Sequence, residues 1–219
     1  HSVTFQDGND KGHFFTSVNY LDNDGIVRGK KDTYTRLTAQ LNADYQLYKW
    51  IKVGTNTSIE KWATRNITHQ SAYGSMLAPT LLLDPLTPVY WDSVDDFPTS
   101  MKDVYATNPE KILIAPNGKY YATSKFQMDD NGNPLLQRDR RNQKSSGFTV
   151  RGTAFVDLTP IDGLIMTSRF SYRIAQSNSH DYSEPYYMNG QAKADNYSIS
   201  ANANNNHYYQ WENFANFNK

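Results

Sequence analysis

The fold is decided by residues 36–47, RLTAQLNADYQL, in which polar and apolar side chains alternate without a break. The polar positions are Arg36, Thr38, Gln40, Asn42, Asp44 and Gln46, and the apolar or aromatic ones are Leu37, Ala39, Leu41, Ala43, Tyr45 and Leu47. Successive side chains of a β-strand point to opposite sides, so this period predicts a strand with two different faces. The run exceeds the usual strand of about five or six residues and suits a tilted membrane-spanning strand of about 9–11.

The same alternation recurs along the chain. After a turn at 48–50 it resumes at Ile51, Val53, Thr55, Thr57 and Ile59. In all, the pattern predicts seven strands, over 1–6, 13–22, 33–47, 51–63, 148–158, 164–176 and 207–217. Everything between these strands is interpreted as a connection.

The connections alternate between short and long. Those at 7–12, 48–50 and 159–163 are short and mostly carry Gly, Asn, Asp or Pro, residues that favour tight turns. Those at 23–32, 64–146 and 177–206 are longer. Because consecutive antiparallel strands place alternate connections at opposite ends of a sheet, the short turns share one end. Outer-membrane barrels have this asymmetry, with short periplasmic turns and long extracellular loops.

Charge placement supports a membrane-facing sheet. Every charge of the third, fifth and sixth strands falls on the polar face, and a lipid-facing Arg or Lys at mid-bilayer costs about 2–4 kcal/mol. Phe155 is an aromatic exception on that polar face. The predicted lumen-facing residues are Arg36, Gln40, Asp44, Arg151, Arg169 and Arg173. Aromatic residues gather at strand ends, as in interfacial girdles, at Tyr45, Tyr48, Trp50, Trp62, Tyr209 and Trp211.

We therefore predict an all-β fold, an antiparallel transmembrane β-barrel of which about seven strands are present, with long extracellular loops. The alternative is a soluble β-sandwich, which also alternates core and solvent faces. It explains the strand length and the one-sided loops poorly. Because the chain opens at His1 within a strand, we expect it to be an internal piece of a larger protein.

The composition argues against several classes of partner and structure. The chain is 38% hydrophobic with a mean hydropathy of −0.74, yet it contains 16 Tyr. Its 22 basic and 22 acidic residues cancel, so no net field favours nucleic acid. It has no cysteine, which excludes disulfides and thiolate zinc sites. No run of 18 apolar residues predicts a transmembrane helix.

The long connection at 64–146 is large enough to carry structure of its own. Residues 71–83 are apolar and predict a short helix that Asp84-Pro85 ends. A turn at 116–119 between short flanking segments predicts a small hairpin. Oxygen-bearing residues at 129–133 resemble part of a calcium loop, but the closing Glu is missing and a plain turn is favoured.

Aromatic residues in this connection are the candidate binding groups. Rigid rings with polar neighbours suit stacking on sugars or gripping a peptide. The candidates for substrate binding are Trp91, Tyr90, Tyr73, Tyr120 and Tyr121. The alternative is that they pack the loop against itself. The five histidines are scattered with no metal-ligand spacing, so we expect no enzyme activity, no metal and no cofactor.

Several segments resemble SusC/RagA-type TonB-dependent outer-membrane transporters. They are HSVTF at 1–5, GNDK at 8–11, FTSVNYLDNDGIV at 15–27, RL at 36–37, LN at 41–42 and WIKVG at 50–54. The later GTA at 152–154 and DLTPIDGL at 157–164 look like another hairpin of that family. Together they cover about half of the chain, and their order and spacing are more specific than any one of them.

The resemblance implies a large barrel in the bacterial outer membrane, filled by an N-terminal plug. It implies uptake of glycans or peptides, driven by the TonB complex through the plug, with a SusD-like surface lipoprotein as the lid. No residue here matches the TonB box or plug, so energy coupling is assigned to none. From the residues alone, a soluble β-sandwich that binds glycan through loop aromatics stays the alternative.

Overall fold

A computed structural model describes residues 1–67, 76–127 and 132–218. In chain order the strands are β1 Ser2–Asn9, β2 Gly12–Asp24, β3 Thr33–Tyr48, β4 Ile51–Arg65, β5 Tyr90–Trp91, β6 Tyr120–Tyr121, β7 Arg141–Ile161, β8 Leu164–Ser183, β9 Tyr186–Tyr187, β10 Lys193–Ala194 and β11 Ser198–Phe217. The helices are α1 Leu77–Leu82, α2 Thr99–Thr107 and α3 Pro134–Asp139. Across these ranges no helix is long and apolar enough to cross a membrane.

Seven long strands form a single antiparallel sheet in the order β1-β2-β3-β4-β7-β8-β11. They correspond to the seven predicted strands. Tight turns join β1 to β2, β3 to β4 and β7 to β8, so these turns lie at one end of the sheet. The connections 25–32, 66–140 and 184–197 lie at the other end. The predicted asymmetry is therefore confirmed.

The long strands face no second sheet in the described residues, because the other ladders, β5–β6 and β9–β10, have only two residues a strand. A sandwich needs two sheets whose inner faces interdigitate. Residues of the long strands instead remain half-buried or exposed on both faces, with Thr167 as the buried exception. The arrangement is that of a barrel wall and disfavours the soluble sandwich.

Register gives the sheet two distinct faces. Gln40 lies opposite Ser58, which lies opposite Arg151, which in turn lies opposite Arg173. The row that contains Leu41 instead joins Thr57, Gly152 and Tyr172. We call the face with Gln40 the polar face and the face with Leu41 the apolar face. The alternation predicted for 36–47 thus continues across the sheet.

Phe155, the aromatic exception on the polar face, covers a glycine of the neighbouring strand. It lies opposite Gly54, and a Cβ at Gly54 would collide with its ring. Trp62 covers Gly147 in the same way. Glycine within a strand leaves backbone bare, and an aromatic ring from the adjacent strand shields it. Phe155 therefore supports the sheet without breaking the polarity of the face.

Every long strand is longer than predicted, and three of them extend by seven residues or more at one end. β7 begins at Arg141 instead of 148, β8 ends at Ser183 instead of 176, and β11 begins at Ser198 instead of 207. The added segments are largely polar on both faces, so they lack the apolar alternation that identifies a half-buried strand. Backbone pairing with the adjacent strand extends them beyond the alternating part.

The largest hydrophobic clusters lie outside the sheet, in what we call the cap: the described residues of 66–140 together with 184–197. One cluster of buried side chains comprises Ala115, Tyr121, Leu136, Tyr186, Met188 and Ala192. The other comprises Trp91, Phe97, Met101, Ile112 and Ala122. The first cluster joins two separate connections, so the cap is one packed unit at the long-connection end.

The cap contains short helices and a small hairpin. The described portion of the predicted 71–83 helix is α1, and its first residues lie outside the described ranges. At 116–119 the backbone N–H of Ala115 donates to the Lys119 carbonyl over 2.8 Å, and Ile114 bridges to Tyr120. These contacts close a small hairpin at the position of the expected turn, although Tyr120–Tyr121 pairs more extensively with Tyr90–Trp91. α2 and α3 were not predicted.

Candidate functional site

Four of the five candidate aromatic residues meet on one ladder in the cap. Tyr90 lies opposite Tyr121, and Trp91 lies opposite Tyr120. The fifth candidate, Tyr73, lies outside the described residues. These positions are far apart in sequence, so it is pairing within the cap that brings the rings together.

Two of the four rings are buried in the interior of the cap. Trp91 is 5% exposed and Tyr121 only 2%. The Phe97 ring lies 5.6 Å from Trp91 and contacts Tyr120 edge-on at 5.0 Å, between ring centroids. These contacts support the alternative of loop packing for Trp91 and Tyr121. Substrate binding by the set stays a prediction.

A cavity of about 480 Å³ lies beside this ladder. Its apolar wall includes Leu86, Pro88 and the edges of Tyr90 and Trp91, with the exposed Phe126 at its rim. Charged groups of both signs also line it, namely Asp92, Asp96 and Lys125. Its volume falls within the range of about 300–1,000 Å³ of small-molecule sites. The cap therefore carries an open pocket of a size that suits a small ligand.

Lys125 limits what this pocket accepts. Its Nζ lies 5.5 Å from the centroid of the Trp91 ring, within cation–π range. Asp92 is held by Lys119, with 2.6 Å between the carboxylate Oδ1 and the ammonium Nζ. Lys125 thus occupies the ring face that a sugar would stack on, while charge and apolar surface remain available.

Thr123 adds a polar group that lacks a partner. The residue is 1% exposed and lines the cavity, and its Oγ1 has no hydrogen-bond partner in the described residues. Leaving a buried hydroxyl unpaired costs about 1–3 kcal/mol. A polar atom bound beside Thr123 would remove that cost.

Hydrogen bonds among charged side chains join the cap to the 25–32 connection. Arg138 donates from Nε and Nη2 to the two carboxylate oxygens of Asp139, each over 2.7 Å, and the Tyr121 hydroxyl donates to Asp139 Oδ2 over 2.7 Å. Lys31, from the 25–32 connection, donates to the Asp139 backbone carbonyl over 2.5 Å. Arg138 Nη1 also reaches the Arg28 carbonyl over 3.1 Å. Two long connections are thereby joined.

These contacts shift the ionisation of both side chains. Burial alone would raise the pKa of the Asp139 carboxyl, but the hydrogen bonds from Arg138 and Tyr121 and the nearby cations leave that pKa below its ordinary value. Burial, together with the hydrogen bond to Asp139, raises the pKa of the Tyr121 hydroxyl. At neutral pH the carboxylate is charged and the phenol is neutral, which is the pairing that the geometry requires.

Asn133 organises the cap from within. Its side-chain amide donates to the carbonyls of Val89 (2.7 Å) and Ala122 (3.1 Å), and its Oδ1 accepts from the N–H groups of Leu135 (2.9 Å) and Leu136 (3.3 Å). It therefore caps α3 and ties it to the backbone at Val89 and Ala122, each next in sequence to residues that line the pocket. The sequence analysis placed Asn133 in a turn and missed this role. The Asn-Pro pair before an apolar run was the available signal.

All six predicted lumen-facing residues lie on the polar face. Asp44 contacts Lys52 (Oδ2 to Nζ, 3.1 Å) and His13 (Oδ2 to Nδ1, 3.5 Å) near the short turns. Arg151 and Arg173 are register partners beside Gln40, around a cavity of about 420 Å³. Arg36 lies opposite Trp62, and the Arg169 guanidinium lies 5.5 Å from the Phe214 ring. The shared face is a fact of the register, whereas its facing a lumen stays a prediction.

The described residues offer no set of metal ligands. Among the described residues, no group of three or more His, Asp or Glu side chains could hold an ion. Three residues of the oxygen-rich 129–133 segment lie outside the described ranges. The neighbouring Asn133 uses its side chain for the cap itself.

A long antiparallel sheet with a folded cap at one end is an architecture that known proteins share. No family model matches the chain. TonB-dependent receptor P39 of Formosa agariphila is 27% identical over 197 residues, which are 84% of this chain and 18% of that protein. The RagAB peptide importer in its closed-closed state superposes with a TM-score of 0.64 at 17% identity, over 98% of this chain and 21% of that one. Its open-open state gives a TM-score of 0.61.

These matches confirm the predicted fold class and the resemblance to SusC/RagA-type TonB-dependent transporters, since sequence and fold both fit a segment of such a protein. The chain spans about a fifth of the length of each relative. The relatives are named as a receptor and as importers, not as enzymes.

Proposed function

We propose that this chain forms part of the barrel wall and outer surface of a TonB-dependent nutrient importer in the bacterial outer membrane. The observation that carries the proposal is the continuous segregation of polar and apolar faces across seven strands, with a folded cap at one end only. Such a sheet suits lipid on one face and an aqueous or protein-filled interior on the other. The TonB complex would act through a plug outside these residues.

The cap lies on the extracellular side in this proposal, because long connections of outer-membrane barrels are extracellular. It would meet both the substrate and a SusD-like lipoprotein lid. Protease treatment of intact cells tests the placement. Cleavage within 76–127, with protection of the Lys49 turn, is the expected result. Protection of the cap with cleavage at Lys49 would invert the topology.

For the substrate, the cap pocket favours a peptide over an oligosaccharide. Lys125 covers the Trp91 ring that a sugar would stack on. The exposed Phe126 and Leu86 offer apolar anchors, and Asp92 and Lys125 offer charges of both signs. A peptide carries apolar side chains, backbone groups and both charges, so it complements such a wall. RagAB, whose fold this chain resembles, is named as a peptide importer, which agrees with this choice.

Two side chains of the pocket test the substrate class in the full-length transporter. Phe126→Ala removes an exposed ring, and Thr123→Val removes the unpaired hydroxyl while keeping its shape. Each is expected to weaken binding of a mixed peptide pool about tenfold, without loss of assembly. Leu81→Ala is the control, since Leu81 is 83% exposed and does not line the pocket.

Oligosaccharides should neither bind at comparable concentration nor compete. If an oligosaccharide bound and Phe126→Ala weakened it, the peptide assignment would be wrong. If both pocket variants bound peptides as the native protein and the Leu81→Ala control do, the pocket would have no part in substrate binding.

A further inference from the structure

The outward side of the sheet carries basic residues above its apolar band. Arg65 of β4 lies opposite Lys144 of β7, and Lys144 lies opposite His180 of β8, so the three side chains form one row across adjacent strands. Alternation puts them on the apolar face with Ile59, at the end where the cap lies. Lys61 lies four residues nearer the band on the same face. All four basic side chains are exposed. We call them the basic row.

The basic row lies where the hydrocarbon boundary is expected. Below it the apolar face carries Ile59, Val150 and Ile174 in one row, and the band continues to Ile51 beside the short turns. From Ile51 to Lys61, steps of about 3.3 Å at a tilt of about 45° cover about 23 Å, close to the ~25 Å apolar band of outer-membrane barrels. The Lys61 stem therefore packs on apolar surface while its ammonium reaches the headgroups.

The cations of the row are available to a ligand. Among the described residues, Lys61, Arg65 and Lys144 form no ion pair. Arg65 donates from Nη1 to the Lys30 carbonyl over 3.2 Å, which leaves its other N–H groups free to bind an anion. The acidic side chains of the same face nearest in register, Asp22 and Asp24, are on β2, two strands or about 10 Å from Arg65.

We propose that the basic row binds the phosphate groups of an anionic lipid of the outer leaflet. Three adjacent strands place Arg65, Lys144 and His180 about 5 Å apart from one to the next, which suits a phosphorylated headgroup. Arginine binds phosphate through paired N–H donors, and lysine does so as a point charge. The site depends on the membrane location proposed above, but not on what the transporter carries.

Binding of a phosphorylated glycolipid to the full-length protein in neutral detergent tests the site. The probes are a bis-phosphorylated lipid A, the same glycolipid without phosphates, and inorganic phosphate alone. The native protein should bind the phosphorylated lipid most tightly. Arg65→Gln with Lys144→Gln should weaken that binding about 30-fold, since each cation near a membrane surface contributes about fivefold. Lys102→Gln with Lys193→Gln, which removes two exposed cap cations, should leave it unchanged.

Three outcomes would overturn the proposal. The row variant could bind as the native protein does, the dephosphorylated lipid could bind equally well, or inorganic phosphate could compete at equal concentration, which would indicate a free-anion site. Arg65→Lys keeps the charge and should retain most of the binding. Heat-modifiable migration on gels checks that each variant assembles. Loss of lipid binding with substrate uptake intact separates this site from the proposed transport function.

Discussion

The sheet and the cap solve the burial of apolar side chains in opposite ways. In the cap, Met101, Met188 and Ala122 are at most 2% exposed and pack in a core of ordinary kind. In the sheet, Leu37 and Leu41 are 46% and 43% exposed although they lie in the middle of long paired strands. A soluble domain rarely leaves a wide continuous face of this kind uncovered. The cap therefore buries its apolar side chains as a domain in water does. The apolar face of the sheet, in contrast, requires a nonaqueous environment.

The same contrast appears in the charges. In the cap, Asp139 lies within a set of hydrogen bonds from neighbouring side chains, and that set fixes the fold. In the middle of β3, β7 and β8 the charged side chains lie on the polar face, and the charges of their apolar face lie near the cap end of the sheet. In the cap a charged group is held by specific hydrogen bonds, whereas in the sheet the position along the strand and the face distinguish the charged residues.

The largest effect is expected from reversing the polarity of one sheet position. Leu41→Arg in the full-length transporter places a guanidinium at mid-bilayer and should cost about 2–4 kcal/mol, which impairs assembly. Asn42→Arg, on the opposite face, should assemble. The measurement is the heat-modifiable fraction in outer-membrane preparations. If Asn42→Arg blocked assembly and Leu41→Arg did not, the two faces would be reversed.

A cap position should affect only the cap. Asn133→Ala removes an N-cap and leaves the Val89 and Ala122 carbonyls without their donor, at a cost of about 1–3 kcal/mol. Hydrogen exchange should rise across 76–127 while the long strands stay protected. Asn196→Ala, at an exposed position of the 184–197 connection, is the control and should change stability by less than about 0.5 kcal/mol. Faster exchange in β3 as well would show that sheet and cap unfold together.

Acid should loosen the cap through Asp139. Its folded-state pKa lies below the ordinary value, so its contribution is complete above the unfolded pKa of about 3.9 and is lost as pH falls through the folded pKa. Pepsin cleavage of the cap should therefore rise below about pH 4. Asp139→Asn should lower cap stability by about 1–2 kcal/mol at neutral pH and flatten that part of the profile. An unchanged profile in Asp139→Asn would remove Asp139 from this role.

The smallest effect is expected from the exposed pair Lys111–Asp195, whose Nζ and Oδ1 are 2.8 Å apart. Lys111→Ala should cost less than about 1 kcal/mol, because water screens such pairs. The measurement is exchange in the 184–197 connection. A larger cost would mean that this pair, rather than the buried cluster around Met188, joins the two connections.

The sheet was predictable because its pattern is local. Alternation along 36–47 identifies a strand and its faces without any knowledge of its neighbours, and turn residues such as Asp162-Gly163 mark where a hairpin closes. The same rule fails for residues 141–147, on the N-terminal side of Phe148. There β7 contains residues that are largely polar on both faces. Those segments are held by pairing with β8, a contact that no alternation records.

The cap was less predictable because its structure depends on distant contacts. Tyr186 and Met188 pack with Leu136 only after the 66–140 and 184–197 connections meet. Two-residue ladders such as β5–β6 carry no periodic signal of their own. The sequence analysis offered the aromatic residues as binding candidates, but from sequence their packing in a core could not be separated from exposure to a substrate.

The central claim is that alternate residues of β3 face different environments, and cysteine labelling tests it directly. This segment has no native cysteine. Single cysteines at each position from 36 to 47 would be introduced in the full-length transporter and treated in native outer membranes with a water-soluble maleimide. The account predicts that Thr38, Gln40, Asn42 and Asp44 positions label more than Leu37, Ala39, Leu41 and Ala43, with a period of two. Equal labelling of Leu41 and Asn42 along the whole strand would contradict it.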